Sequence, residues 1–157
     1  IQKKSFDSPF TDPVSGKEFV FIKGGCFQMG DTFGEGDNDE KPVHKVCLDD
    51  YYLGKYEVTQ GQWQRIMGNN PARFKNGDNY PVEQVCWNDV QKFIKQLNSQ
   101  TDGKYRLPTE AEWEFACREG GKKIRFGNGK DIIDPNEANF NGSSRFKKSY
   151  SKSGAYR

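Results

Sequence analysis

The sequence is poorest in histidine: His44 is the only imidazole among 157 residues. An imidazole-rich metal centre is therefore excluded, and any Ser–His or Cys–His nucleophilic system would rest wholly on that one ring. The four cysteines, Cys26, Cys47, Cys86 and Cys117, include no Cys-X-X-Cys pair. A zinc site would have to gather scattered thiolates, so disulfides in an exported protein are the preferred reading. Four cysteines allow three pairings, and spacing alone does not choose among them. Apolar residues make up only 33% of the chain. They never form the uninterrupted run of about 20 that a membrane-spanning helix needs. Neither sign of charge dominates, since 24 basic and 22 acidic residues leave a net +2. No global field therefore favours nucleic acid or an anionic membrane. The basic stretch with Lys147, Lys148 and Lys152 reads as a solvated tail or loop. The chain opens at Ile1 without a signal-peptide pattern, as a processed or trimmed N-terminus would.

What the chain has instead is rings and glycines: 12 Phe, 7 Tyr, 3 Trp and 17 Gly. Mean hydropathy of −0.97 would suit a disordered chain, but disordered chains are poor in aromatics. The composition points to a loop-rich fold whose core is filled by large rings. Residues 1–17 read as an irregular lead-in, punctuated by Ser8-Pro9, Asp12-Pro13 and Ser15-Gly16. Phe19 to Ile22, Cys26 to Met29, Val43 to Leu48 and Tyr51 to Val58 read as short strands, with an acidic surface loop from Asp31 to Lys41. Three helices follow. The first opens at Thr59 with Gln62 completing a capping box, carries Trp63, Ile66 and Met67 on one side, and stops at Gly68. The second is expected to start after Asn88 as N-cap, with Val90, Phe93, Ile94 and Leu97 at helical spacing. The third opens at Thr109 with Glu112 completing its box, turns Ala111, Phe115 and Ala116 inward, and stops at Gly120-Gly121. Trp87 and Trp113 are expected as core rings, His44 as a packed, hydrogen-bonded one, and Arg106 as an ion-pair partner of Glu110, Glu112 or Glu114.

Five blocks make the sequence specific: Phe27-Gln28-Met29-Gly30, Glu40 to Val46, Tyr56-Glu57-Val58-Thr59, Pro81 to Asp89 and Arg106 to Glu114. In this order they resemble the formylglycine-generating-enzyme (sulfatase-modifying factor) family, over about residues 18 to 140. The resemblance implies an α+β domain of C-type-lectin-like arrangement with little regular secondary structure. Residues 18–157 then form the N-terminal part of such a domain, with the chain ending mid-domain. Active members oxidise a cysteine in a Cys-X-Pro-X-Arg segment of a sulfatase to formylglycine, using molecular oxygen and a copper ion held by two thiolates. Soft thiolates suit Cu(I). That pair belongs to the second half of the family domain, so no catalytic residue carries over, and copper is expected only with a missing C-terminal half or partner chain.

Cys117 matches a position that some members bridge to that half. Cys86 stands where Ser is usual and is a candidate partner for Cys117. Cys26 and Cys47 flank adjacent predicted strands and are expected to pair. The family's structural calcium implies ligands at Asn139 and Phe140, with Tyr156 in a less secure match. An acidic residue expected beside Gly154 is absent, which would weaken the site. The acidic residues Asp31, Glu35, Asp37, Asp39 and Glu40 lack EF-hand spacing and read as a solvated loop. Asn141-Gly142-Ser143 fits an N-glycosylation pattern in a eukaryotic secretory setting. Two other functions compete with an incomplete oxidase: a non-catalytic extracellular lectin-like binding or scaffold module, and an iron-dependent sulfur–carbon bond-forming relative. The second needs a histidine cluster that this chain lacks.

Overall fold

Short alternating segments and capped helices dictate a molecule of small elements. The computed structural model describes residues 8–138. Among them lie strands β1 (Phe10–Thr11), β2 (Glu18–Ile22), β3 (Cys26–Met29), β4 (His44–Cys47) and β5 (Tyr51–Gly54). The helices are α1 (Gln60–Met67), α2 (Trp87–Gln100) and α3 (Glu110–Cys117), with one 3-10 turn at Asn38–Glu40. The domain is α+β, with few helices and sheets and no closed barrel. The chain divides into two compact units, residues 1–22 with 50–108 and residues 23–49 with 109–157.

In the first unit, β1, β2 and β5 form an antiparallel sheet in that order, and Ile22 stands opposite Tyr51. Part of the stretch expected as an irregular lead-in is thus a sheet edge: Phe10 pairs with Phe19 and stacks on its ring at 5.0 Å. The Thr59 hydroxyl accepts the Gln62 N–H and the Gln62 side chain accepts the Thr59 N–H, so α1 starts where its capping box places it. Gly68, at φ +76°, closes it in the left-handed conformation that glycine adopts without penalty. α1 packs on α2 through Trp63, Ile66, Phe93 and Leu97, with the Trp63 and Phe93 rings stacked 5.0 Å apart. Burying each such side chain contributes roughly 1.5–3 kcal/mol.

The start of α2 corrects the sequence reading. Cys86, not Asn88, is its N-cap, because the Asp89 carboxylate accepts the Cys86 N–H at 3.2 Å and its thiol at 3.0 Å. Those two bonds, thiol first, hold the Asp89 carboxyl below its ordinary pKa, with Lys92 adding to them. Two buried polar anchors complete the unit. Gln60 donates to the carbonyls of Phe74 (2.9 Å) and Pro81 (3.3 Å) and accepts from Asn70, holding the long loop after α1. Asp12, 1% exposed, accepts the backbone N–H and hydroxyl of Ser15 on one oxygen and the Tyr105 hydroxyl, at 2.7 Å, on the other.

In the second unit, β3 and β4 form an antiparallel hairpin in which Cys26 faces Cys47, and these two are joined by a disulfide. α3 opens with the expected box: Thr109 accepts the Glu112 N–H, and Glu112 accepts the Thr109 N–H at 2.7 Å. Phe115 is buried and meets Phe27 edge-on at 5.3 Å. Gly121, at φ +78°, lies so close that a Cβ there would sit 2.2 Å from that of Phe27, so only glycine fits.

The tryptophans divide against expectation. Only Trp63 is a core ring, at 4% exposure, whereas Trp87 and Trp113 are 66% and 60% exposed. The reason is helical register: Phe93 and Leu97 fill the buried face of α2, while Glu112 and Phe115 take that of α3. His44 is likewise exposed rather than packed. Its Nδ1 lies 3.1 Å from the Pro42 carbonyl.

Candidate functional site

The second unit contains an open cavity of about 870 Å³, whose walls include Asp31, Glu40, Glu110, Trp113, Cys117 and Arg125. One wall is the acidic loop. It is ordered by its own first carboxylate, because Asp31 Oδ1 accepts the N–H groups of Phe33 (3.2 Å), Gly34 (2.6 Å) and Glu35 (3.0 Å). Burial pushes the Asp31 carboxyl up, but the backbone donors outweigh it and hold the pKa below its ordinary value. Lys41 bonds the Gly36 carbonyl at 3.0 Å and stands 3.5 Å from Asp31 Oδ2, closing the loop from the other side. Arg125 lies over the Phe33 ring at 4.1 Å and donates to Glu35 at 2.5 and 3.3 Å.

The opposite wall is α3. Glu114 accepts from Arg118 at 2.6 Å and from the Gly30 N–H at 3.1 Å. Arg118, only 8% exposed, also donates to the carbonyls of Gln28 and Lys122 at 2.8 and 2.9 Å. This guanidinium pins the hairpin and the turn after α3 to one another, a structural use of charge. Arg118 is thus the ion-pair partner of Glu114 on this wall. Arg106 donates to the Leu107 carbonyl at 3.0 Å.

The chemistry on offer is limited. Cys117 is a free, half-buried thiol on the cavity wall, with no hydrogen bond to His44 among the described residues. No three His, Cys, Asp or Glu side chains among the described residues are grouped to hold a metal ion. A dithiolate centre for a soft cation needs two free thiols together. Cys26 and Cys47 are consumed by the disulfide, Cys86 belongs to the first unit and Cys117 to the second, so neither unit contains such a pair. The calcium ligands expected at Asn139, Phe140 and Tyr156 lie outside the described residues, as does the Asn141 glycosylation pattern. Two carboxylates of the acidic loop are engaged within the protein, Asp31 by backbone N–H groups and Lys41, and Glu35 by Arg125, in keeping with a surface loop. No helix among the described residues is long and apolar enough to cross a membrane.

Sequence reasoning missed Arg118, Gln60 and the Asp12–Tyr105 pair. Asp12-Pro13-Val14-Ser15 carried a readable signal, since an Asp three residues before Ser forms a side-chain turn. Arg118 and Gln60 carried none.

Comparison with known proteins finds several relatives. Chaperone protein LppX of Paenibacillus barcinonensis is 34% identical over 143 residues, covering 69% of this chain and 48% of that protein. The formylglycine-generating enzyme of Streptomyces coelicolor is 28% identical over 173 residues, covering 76% and 53% respectively. Among solved structures, PvdO from Pseudomonas aeruginosa superposes with a TM-score of 0.65 at 27% identity, covering 75% of this chain and 53% of that one. Treponema denticola variable protein 1 gives 0.62 at 25% identity, covering 73% and 58%. The chain spans about half, or less, of the length of the curated relatives it matches. Residues 5–157 match the sulfatase-modifying factor enzyme 1-like domain, and with an α+β fold shared with these neighbours the chain belongs to that family.

Proposed function

We propose that this chain supplies the scaffold portion of a formylglycine-generating-enzyme-type domain, whose complete form oxidises a substrate cysteine to formylglycine with molecular oxygen. One observation carries the reading: the Cys26–Cys47 disulfide leaves a single free thiol in each unit, so neither unit by itself holds a copper-binding thiolate pair. The substrate class is a sulfatase-type protein presenting Cys-X-Pro-X-Arg, by likeness to the relatives named formylglycine-generating enzyme. A structural calcium at Asn139, Phe140 and Tyr156 belongs to the same reading. So does an exported location, which the disulfide supports.

The test is direct. The chain is incubated with Cu(I), oxygen and a Cys-X-Pro-X-Arg peptide, with and without a separately produced C-terminal half of a family domain, and the peptide is followed by mass spectrometry. Conversion only in the complemented sample is expected. Conversion by the chain alone would overturn the scaffold reading.

A second reading is a non-catalytic extracellular module of lectin-like fold, for binding or scaffolding. The cavity favours it: Trp113 presents its ring to solvent, and the free thiol of Cys117 makes no hydrogen bond to His44 among the described residues. A complemented, folded assembly that leaves the peptide untouched would select this reading. Fold alone does not decide between them.

A further inference from the structure

Two Asn-Gly pairs lie among the described residues, Asn76–Gly77 and Asn128–Gly129, and the backbone holds them very differently. An asparagine followed by glycine can lose its side-chain amide without a catalyst. The backbone nitrogen of the glycine, unshielded by any Cβ, attacks Cγ of the asparagine. A nitrogen–carbon bond forms, the backbone amide loses its proton, and the side-chain nitrogen leaves as ammonia. The resulting cyclic imide adds water at either carbonyl, giving aspartate or isoaspartate. The net reaction consumes one water and releases one ammonia, with no change of oxidation state. Its rate depends on whether the nucleophilic N–H and the side-chain amide are free to approach each other.

At Asn76 both are free. The residue is exposed, and among the described residues its side chain makes no hydrogen bond and the Gly77 N–H has no partner. Only the flanking groups are tied, by Asn76 N–H to the Phe74 carbonyl and by Tyr80 N–H to the Gly77 carbonyl. Gly77 sits at φ +132°, where an L side chain is rarely found. At Asn128 both reacting groups are engaged. The Gly129 N–H donates to the Phe126 carbonyl at 3.0 Å, the Asn128 amide donates to Glu137 at 3.1 Å, and its oxygen accepts the Lys130 N–H at 3.2 Å. An ion pair between Lys130 and Glu137 braces that arrangement.

We propose that Asn76 is a site of spontaneous deamidation, with water as the co-reactant, and that its counterpart Asn128 is protected by the bonds it makes. The product is a new carboxylate in an exposed loop that Gln60 anchors at Phe74 and Pro81 and that displays the Phe74 and Tyr80 rings. Isoaspartate also adds one backbone methylene between those anchors. The loop surface therefore changes charge and reach with the age of the molecule.

The full chain is incubated at mildly alkaline pH and sampled over days, both folded and in urea. Peptide mapping then reads amide-to-acid conversion and isoaspartate at each pair. In the folded protein Asn76 is expected to convert at least about tenfold faster than Asn128, because Asn128 must first break its local bonds. In urea the two rates converge, and N76S abolishes the acidic and isoaspartate forms of the peptide that carries residue 76. Equal rates in the folded protein would overturn the proposal. So would an Asn76 that reacts readily in urea yet stays intact when folded.

Discussion

Tyr105→Phe is the sharpest test of how the first unit is held together. It deletes a single oxygen, the hydroxyl that donates to buried Asp12 Oδ2 at 2.7 Å, across 93 positions of sequence. Hydrogen bonds to charged acceptors contribute about 1.5–3 kcal/mol, and the carboxylate oxygen left behind is buried, so a loss of about 2 kcal/mol is expected. Asp12→Ala removes the acceptor that Ser15 and Tyr105 share and should cost more, about 3–4 kcal/mol. The double variant should fall short of the sum by about 1.5 kcal/mol, because the shared bond is lost only once. Urea unfolding measures these values in a W87F/W113F background, where buried Trp63 is the only reporter and both replaced rings are exposed.

The pH dependence gives an independent check. Burial pushes the Asp12 carboxyl up, but the bonds from Ser15 and then Tyr105 outweigh it, leaving the folded pKa below the ordinary value. The stabilisation is then complete above the unfolded carboxyl pKa of about 3.9 and disappears as pH falls through the folded value. Burial, then the bond to Asp12 and its charge, push the Tyr105 hydroxyl up. Its contribution is complete below the unfolded phenol pKa of about 10 and disappears as pH rises beyond it. A Tyr105→Phe chain within about 0.5 kcal/mol of the parent at neutral pH would refute this account of the anchor.

Other substitutions test the remaining architecture. Arg118→Ala should destabilise the second unit by about 3 kcal/mol, since it strands Glu114 and the carbonyls of Gln28 and Lys122; Arg118→Lys should restore under half, lacking the fork. Exchange of the Gly30 amide, which donates to Glu114, reads this directly. Reduction, or C26S/C47S, should cost roughly 3 kcal/mol for a sequence separation of 21, seen as a lower Tm in reducing buffer. Trp63→Ala should cost about 3–5 kcal/mol, while Trp87→Ala and Trp113→Ala cost under about 1 kcal/mol, by the same urea titration with circular dichroism.

Local signals in this chain were legible, and partner-dependent ones were not. Thr59 and Thr109 announce their helices because a capping box is complete within four residues, and nothing distant competes with it. The four strands from Phe19 onward and the Cys26–Cys47 pair followed from alternation and adjacency, although the last strand stops at Gly54 rather than Val58; the hairpin register places the two cysteines opposite each other. The N-cap of α2 was misplaced because cysteine is an unusual cap and the decisive group, Asp89, acts from inside the helix. Trp87 and Trp113 were misread because hydrophobicity ranks a ring without saying which way a helix turns it. In the cavity, Asp31 was visible as an acid in a glycine-bearing loop, yet its use as a backbone cap was not. Arg118 showed nothing in sequence, since its partners at Gln28 and Thr32 lie 90 and 86 residues away.

The opposition of Ile22 and Tyr51 has a consequence for how the chain is assembled. Seen from the first unit, everything between those residues is an excursion that leaves a sheet and returns to the adjacent strand. An unconstrained excursion imposes an entropic penalty on β2–β5 pairing that grows with its length. The Cys26–Cys47 bond short-circuits that path from roughly 28 free residues to roughly eight, lowering the penalty by about 1 kcal/mol. The redox state of a hairpin in one unit thus sets how easily the other unit closes its sheet. For protein engineering, a short turn joining Ile22 to Tyr51 would abolish that path and with it the redox dependence of the β2–β5 pairing.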